Sequence, residues 1–373
     1  MTVAAGQTLG AHLRGRRVVV CLGAGGVGKT TTSAALGLGL ALEGRRVAVV
    51  TIDPARRLAS ALGLDELSGE PRQIELAALE RSGVEVRGEL WAMMLDSKQT
   101  FDEVITSLAP DESAREEILA NPVYRELSTA VAGSQELSAV AKLYELYEHG
   151  GYDTIVLDTP PSRNALDFLE TPGRLLGFIE GRALQVFLAP GGLTARLFGR
   201  GTALVFAIFA RVTGVDMLGE LSHFFRSLSG VIDGFAARTR GVAALMRSSE
   251  TAFVIVSSPE VEPAREATFL ARKLAEAGME PAALVVNRVH RDGLGGHSPG
   301  HVLELLESEL GEGLARRVAN NLADFDVLVR RDEATIAGLS RRTGDGRAVL
   351  VEQLDEEIQD LFGLAGVAER LLG

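Results

Sequence analysis

The chain has 373 residues, with 38 basic against 50 acidic side chains (net charge −12) and 46% hydrophobic residues. These numbers suit a large single α/β domain or two smaller ones, and the acidity argues against a general nucleic-acid-binding surface. The single cysteine, Cys21, excludes an intrachain disulfide and any multi-thiolate site built within one chain.

Residues 1–15 read as a loose leader without the apolar core of a secretory signal. The chain has no long uninterrupted apolar run of the kind that spans a membrane, so no spanning helix is expected and the compartment is most simply cytoplasmic. Residues 18–22 (VVVCL) have strand length and composition, which makes Cys21 a small core residue. A glycine-rich loop follows, then a helical pattern from Lys29 to about Leu42. Gly23, Gly28, Lys29 and Thr30 fit G-x-x-x-x-G-K-[ST], the phosphate-binding loop. Gly23, Gly25, Gly26 and Gly28 let the backbone curl so that its N–H groups face an anion, and the following helix adds its positive end. Ala24, Val27 and Thr31 belong to the same cradle. Lys29 would reach the β- and γ-phosphates of a nucleotide, and the Thr30 hydroxyl would hold Mg²⁺. Only four lysines occur against 34 arginines, and one of the four stands where a point-charge phosphate binder is needed.

Residues 46–52 (RVAVVTI) form a second apolar strand ending at Asp53-Pro54-Ala55. Strand, helix and strand within this span predict a βαβ unit with a parallel sheet. Asp53, at the carboxyl end of that strand, is placed either to orient an attacking water or to make an Asx-turn before a helix. Residues 65–89 are mixed and acidic, read as helix and loop; residues 90–95 (LWAMML) are a third strand; residues 96–149 carry a helical pattern. Residues 154–157 (TIVL) are a buried strand closed by Asp158, either a carboxylate that supports Mg²⁺ through water or a turn cap.

Residues 173–248 differ in character. Nine of the 14 phenylalanines lie between Phe168 and Phe235, and from Gly181 to Val215 there is no acid but four arginines, Arg182, Arg196, Arg200 and Arg211. This reads as a helical insertion between two sheet strands, either a ligand surface or a packing and dimer element. The ATPase-type core would then comprise residues 1–172 and 249–373. Residues 252–257 (AFVIVS) and 282–286 (AALVV) are further strands flanking a helix near 261–277, and Asn287 at the second strand's end offers a donor and an acceptor to an adenine edge. His290, His297 and His301 read as exposed loop histidines rather than a metal site. Asp326–Val329 is a candidate last strand, and residues 346–371 read as an acidic amphipathic helix.

Taken together, these residues resemble the arsenite-pump ATPase (ArsA) family of deviant-Walker P-loop ATPases, which includes the eukaryotic factor that targets tail-anchored membrane proteins. GAGGVGKTT is similar to that family's GKGGVGKTT; TIDPARRLASAL resembles its switch I segment, LWAMMLD a family strand, DTPPSRNALDFLETP its switch II segment, and VVNR the strand whose Asn contacts adenine. The resemblance implies an α/β P-loop NTPase fold of the SIMIBI class, with a mostly parallel twisted sheet and a helical insertion. It implies ATP hydrolysis with Mg²⁺ at a face-to-face dimer interface, Asp53 as the switch I carboxylate, Asp158 as the Mg²⁺-linked switch II carboxylate and Asn287 against adenine. It implies a hydrophobic or amphipathic client for residues 173–248.

Three departures stand out. Ala24 occupies the place of the family's signature lysine, which crosses the dimer interface to the partner's nucleotide; this favours a heteromer with a lysine-bearing paralogue over a homodimer, or slow hydrolysis. The cysteines of an arsenite or inter-subunit zinc site are missing. Arg163-Asn164 replaces the Gly-His of switch II. The alternatives are a positioning ATPase of the MinD/ParA type, which the acidic C-terminal stretch disfavours, and a low-turnover regulatory subunit.

Overall fold

The computed structural model describes residues 9–53, 57–81, 83–122, 124–125, 135–160, 171, 173–174, 176–177, 229–343, 348–354, 358 and 360–373. Its centre is an eight-stranded sheet: β1 (Val18–Gly23), β2 (Arg46–Thr51), β3 (Arg72–Gln73), β4 (Glu89–Met94), β5 (Thr154–Asp158), β6 (Thr251–Ser257), β7 (Pro281–Val289) and β8 (Ala348–Glu352). The strand order is β3-β4-β2-β5-β1-β6-β7-β8. Every pairing is parallel except that of the short edge strand β3 with β4.

Among the described residues the helices are α1 (Leu9–Leu13), α2 (Lys29–Leu42), α3 (Arg57–Ala61), α4 (Ala77–Arg81), α5 (Ser97–Leu108), α6 (Glu112–Ala120), α7 (Gln135–His149), α8 (Ser229–Arg247), α9 (Val261–Glu276), α10 (Pro299–Leu310), α11 (Glu312–Thr343) and α12 (Leu361–Leu372). A parallel sheet built from crossovers is covered on both faces, so its strands are apolar on both sides. Period-2 alternation sends Val19, Cys21, Val47, Val49 and Val254 into one core with α1, α2, α3, α4 and α12. Val18, Val20, Leu22, Val50 and Ile255 enter a second core with α7, α8, α9 and α11. Residues that look like one hydrophobic run in sequence thus divide between two packed layers.

Strands β1, β2, β4, β5, β6 and β7 all lie at the predicted segments, and Cys21 is fully buried as expected. Burial pushes its thiol up to about 12, which keeps it inert. Other expectations are corrected. The described part of the leader is not loose: Leu9 and Leu13, four apart on one face of α1, are buried, and α1 packs against α12. Residues 65–89 contain the edge strand β3 besides the short helix α4. Asp326–Val329 is not a strand but lies inside the 32-residue helix α11, whose buried Ala315, Ala319, Val329, Ile336 and Leu339 follow helical spacing. An apolar run of three residues, Val327 to Val329, cannot by itself separate strand from helix. The last strand among the described residues is β8, inside the stretch read as helix; the short apolar run of AVLVE does not stand out beside α12. The Phe-rich, acid-free stretch and Arg163-Asn164 lie outside the described residues. From the segment read as an insertion, α8 is described, and it packs on α5, α7 and β6.

Candidate nucleotide site

In a parallel sheet, ligands bind beyond the carboxyl ends of the strands. Here the register brings the ends of three strands together: Cys21 and Thr51 are both paired with Asp158. The glycine-rich loop leaves β1 at this edge and turns into α2. Gly23 has to be glycine, because a Cβ there would lie 2.1 Å from the Val256 carbonyl oxygen. Gly28 is the N-cap of α2 at φ +91°, a left-handed conformation, and no side chain caps the helix. The first-turn N–H groups have no acceptor within the helix and point to the mouth of the loop, where the helix dipole is positive.

Lys29 is buried, and its Nζ donates to the Ala24 carbonyl at 2.7 Å. Burial holds the ammonium below its ordinary pKa, against the pull of Asp158 and Asp53. Its remaining N–H donors are available to an anion. Asp158 is 1% exposed. Its Oδ2 accepts from Thr30 Oγ1 at 2.8 Å and from Thr51 Oγ1 at 3.0 Å, while its Oδ1 is buried with no hydrogen-bond partner among the described residues. Burial raises this carboxyl from its ordinary 3.8 to about 6; the two threonine hydrogen bonds and Lys29 pull it down, and Asp53 pushes it up. A buried carboxylate oxygen without a donor is costly, and a cation or its water is the simplest partner. The Thr30 hydroxyl and the Asp158 carboxylate are hard oxygen donors that suit Mg²⁺. Both sequence-assigned metal residues are therefore in mutual contact.

Asp53 follows β2 and lies at the same edge; its Oδ2 is 3.5 Å from the exposed Arg57 guanidinium. Residues 54–56, within the segment that resembles switch I, lie outside the described residues. Asn287 ends the regular part of β7 and donates from Nδ2 to the Val27 carbonyl at 2.9 Å. The side chain thus buttresses the loop; a Cβ on Gly28 would approach Nδ2 to 2.3 Å. Ala24 is nearly buried and packs with Val27 in the core below the loop.

Of these groups, Gly28, Lys29, Thr30, Asp53, Arg57 and Asn287 line one cleft of ≈ 940 Å³, together with Thr159, Val351, Gln353, Leu354 and Ile358. Sequence reading assigns no role to the latter four, because the expected helix over residues 346–371 hides the strand β8 and the residues after it. It also missed two threonines. Thr51 binds Asp158, and Thr159 donates to the Cys21 carbonyl at 2.7 Å, tying β5 to β1 just before the loop. A threonine two residues before the strand-end Asp53 and one directly after Asp158 are the signal that could have found them. Of the histidines, His297 and His301 are exposed, with ring centroids 5.0 Å apart. His290 is not an exposed loop histidine: it is half-buried, and its Nδ1 lies 2.6 Å from Asp332.

A glycine cradle on an uncapped helix, a buried lysine and a threonine–aspartate pair at the ends of adjacent parallel strands define a P-loop nucleotide hydrolase. The chain belongs to the family described as anion-transporting ATPase, whose model matches residues 16–294. It is similar to "ATPase GET3" of Malassezia globosa, 27% identical over 73% of this chain and 72% of that protein. It is also similar to an Aquifex aeolicus protein whose name places it among arsenical pump-driving ATPases, 26% identical over 73% of this chain and 63% of that protein. "ATPase ARSA2" of Chlamydomonas reinhardtii is 28% identical over 72% of this chain and 66% of its own length. The protein is an ATPase of this family, and no helix among the described residues is long and apolar enough to cross a membrane.

Proposed function

We propose that the cleft binds ATP with Mg²⁺ and hydrolyses it by in-line attack of water on the γ-phosphate, and that the cycle gates a hydrophobic or amphipathic client. The observation that carries this reading is the orphaned, buried Oδ1 of Asp158 beside the Thr30 hydroxyl, at the foot of an uncapped helix. Main-chain N–H groups of residues 24–31 and Lys29 cradle the β- and γ-phosphates and stabilise the charge that spreads over the transferring group. Thr30 and Asp158, the latter through water, would hold Mg²⁺, which supplies further neutralisation of phosphate charge. Asp53 orients the attacking water and receives its proton. Asn287 presents its amide to the base edge, and Val351, Leu354 and Ile358 offer an apolar wall for the ring.

Ala24 bears on assembly. It brings no charge to a facing nucleotide, which favours closure against a lysine-bearing paralogue over pairing of two identical chains. The client surface is assigned to residues 173–248 on composition, because the acid-free aromatic stretch fits an apolar or amphipathic segment. Hydrolysis by Asp53→Asn tests the chemistry. Loss of about a hundredfold or more in kcat with ATP affinity within about threefold supports the assigned role, and unchanged kcat refutes it.

A further inference from the structure

Strand β7 does not run regularly to its end. Its register against β8 shifts between Val286 and Val289, and Arg288 within the shift has φ +60°, a left-handed conformation in a non-glycine residue. This is the place from which Asn287 reaches the P-loop at Val27. Such a conformation persists only when its surroundings hold it.

The holding group comes from a different element. Asp332, in the middle of α11, is fully buried. Its Oδ2 accepts from the His290 backbone N–H at 3.1 Å and faces His290 Nδ1 at 2.6 Å. Its Oδ1 accepts from the Arg331 guanidinium at 2.9 Å. The His290 ring also packs edge-on against Phe325 of α11, with centroids 5.2 Å apart. One residue earlier, the Val289 carbonyl accepts from the backbone of Gln353, which lines the cleft. Burial alone would raise the Asp332 carboxyl, but the hydrogen bonds from His290 and Arg331 outweigh it and hold the group below the usual carboxylate range. A buried, ionised carboxylate thus clamps the residues immediately after the bulge.

We propose that Asp332 is a positioning residue for the nucleotide: by pinning His290 it fixes the bulged end of β7 and keeps Asn287 against the P-loop. Asp332 itself lies outside the cleft lining. The effect passes through Asn287, so it belongs to binding and not to the chemical step. The inference rests on the reading that Asn287 faces bound ATP.

The test uses the full chain, Mg²⁺ and ATP, with affinity from calorimetry, KM and kcat from phosphate release, and folding from thermal unfolding. Asp332→Asn preserves shape, but its amide cannot accept from both His290 and Arg331. It should weaken ATP affinity and raise KM by about tenfold while kcat stays within about twofold. In an Asn287→Ala background the same change should cost less than about twofold, because the route is already cut. Should Asp332→Asn not fold, His290→Ala carries the test, with about threefold weaker affinity that likewise vanishes without Asn287. Unchanged affinity in folded variants, or an undiminished loss in the Asn287→Ala background, overturns the proposal while the nucleotide reading stands. Absence of ATP binding by the unaltered protein overturns both.

Discussion

Replacing Asp158 by asparagine should stabilise the nucleotide-free protein while stopping its chemistry. The carboxyl is 1% exposed, and its pKa is raised from 3.8 to about 6, chiefly by burial. As pH rises, the unfolded chain therefore releases this proton before the folded chain does. The associated stability is fully present below about pH 4 and is lost progressively up to about pH 6, about 3 kcal/mol for a shift of roughly two units. Asparagine removes that loss. Both threonine hydrogen bonds converge on Oδ2, so an amide oxygen placed there can keep them. The amide nitrogen would then occupy the position of Oδ1, which has no partner, at a cost of about 1–2 kcal/mol. Urea unfolding without nucleotide or Mg²⁺ should show the variant more stable by about 1–2 kcal/mol at pH 7.5. The difference from the unaltered protein should move by about 3 kcal/mol between pH 4 and pH 7.5. ATP hydrolysis should fall by about a hundredfold or more. A pH-independent difference, or a variant less stable at pH 7.5, would refute the account of Asp158 as a buried carboxylate whose ionisation costs stability.

Other substitutions read different parts of the site. Gly28→Ala forces a side chain into a left-handed N-cap and against Asn287, so it should cost about 1–3 kcal/mol in thermal unfolding and lower ATP affinity. Ala24→Lys should raise hydrolysis by the isolated chain by about tenfold or more if copies of it can close face to face; no gain from the chain alone, but a gain on adding a lysine-bearing paralogue, marks the heteromer. Making residues 181–215 polar should abolish nucleotide-dependent binding of an apolar dye, and retention of that binding would move the client surface elsewhere.

Much of the sheet was legible because its strands are long enough to show an apolar run that leads into a candidate site residue: Gly23 and Asp158 close β1 and β5, Asp53 follows two residues after β2, and Asn287 lies near the end of β7. What escaped was short or contextual. β8 has five residues, and its short apolar run is overshadowed by the helical pattern that follows. Asp326–Val329 has the composition of a strand, yet tertiary packing continues α11 through it. The apolar pair Leu9 and Leu13 gains meaning only beside α12, far away in sequence. In the site, P-loop residues were readable because each has a fixed offset from the others. The partnership of Thr51 with Asp158 depends on the pairing of β2 with β5, and that of His290 with Asp332 on the return of α11 to the sheet. Neither register is written in local spacing.

The central claim is that the loop after β1, with Lys29, captures the phosphates of a nucleotide. Calorimetric titration of the folded chain with ATP and Mg²⁺, beside Lys29→Ala, tests it most directly. The account predicts saturable, magnesium-dependent binding by the unaltered protein and a loss of affinity of about a hundredfold or more in the variant. Equal binding by both, or none by either, would contradict it.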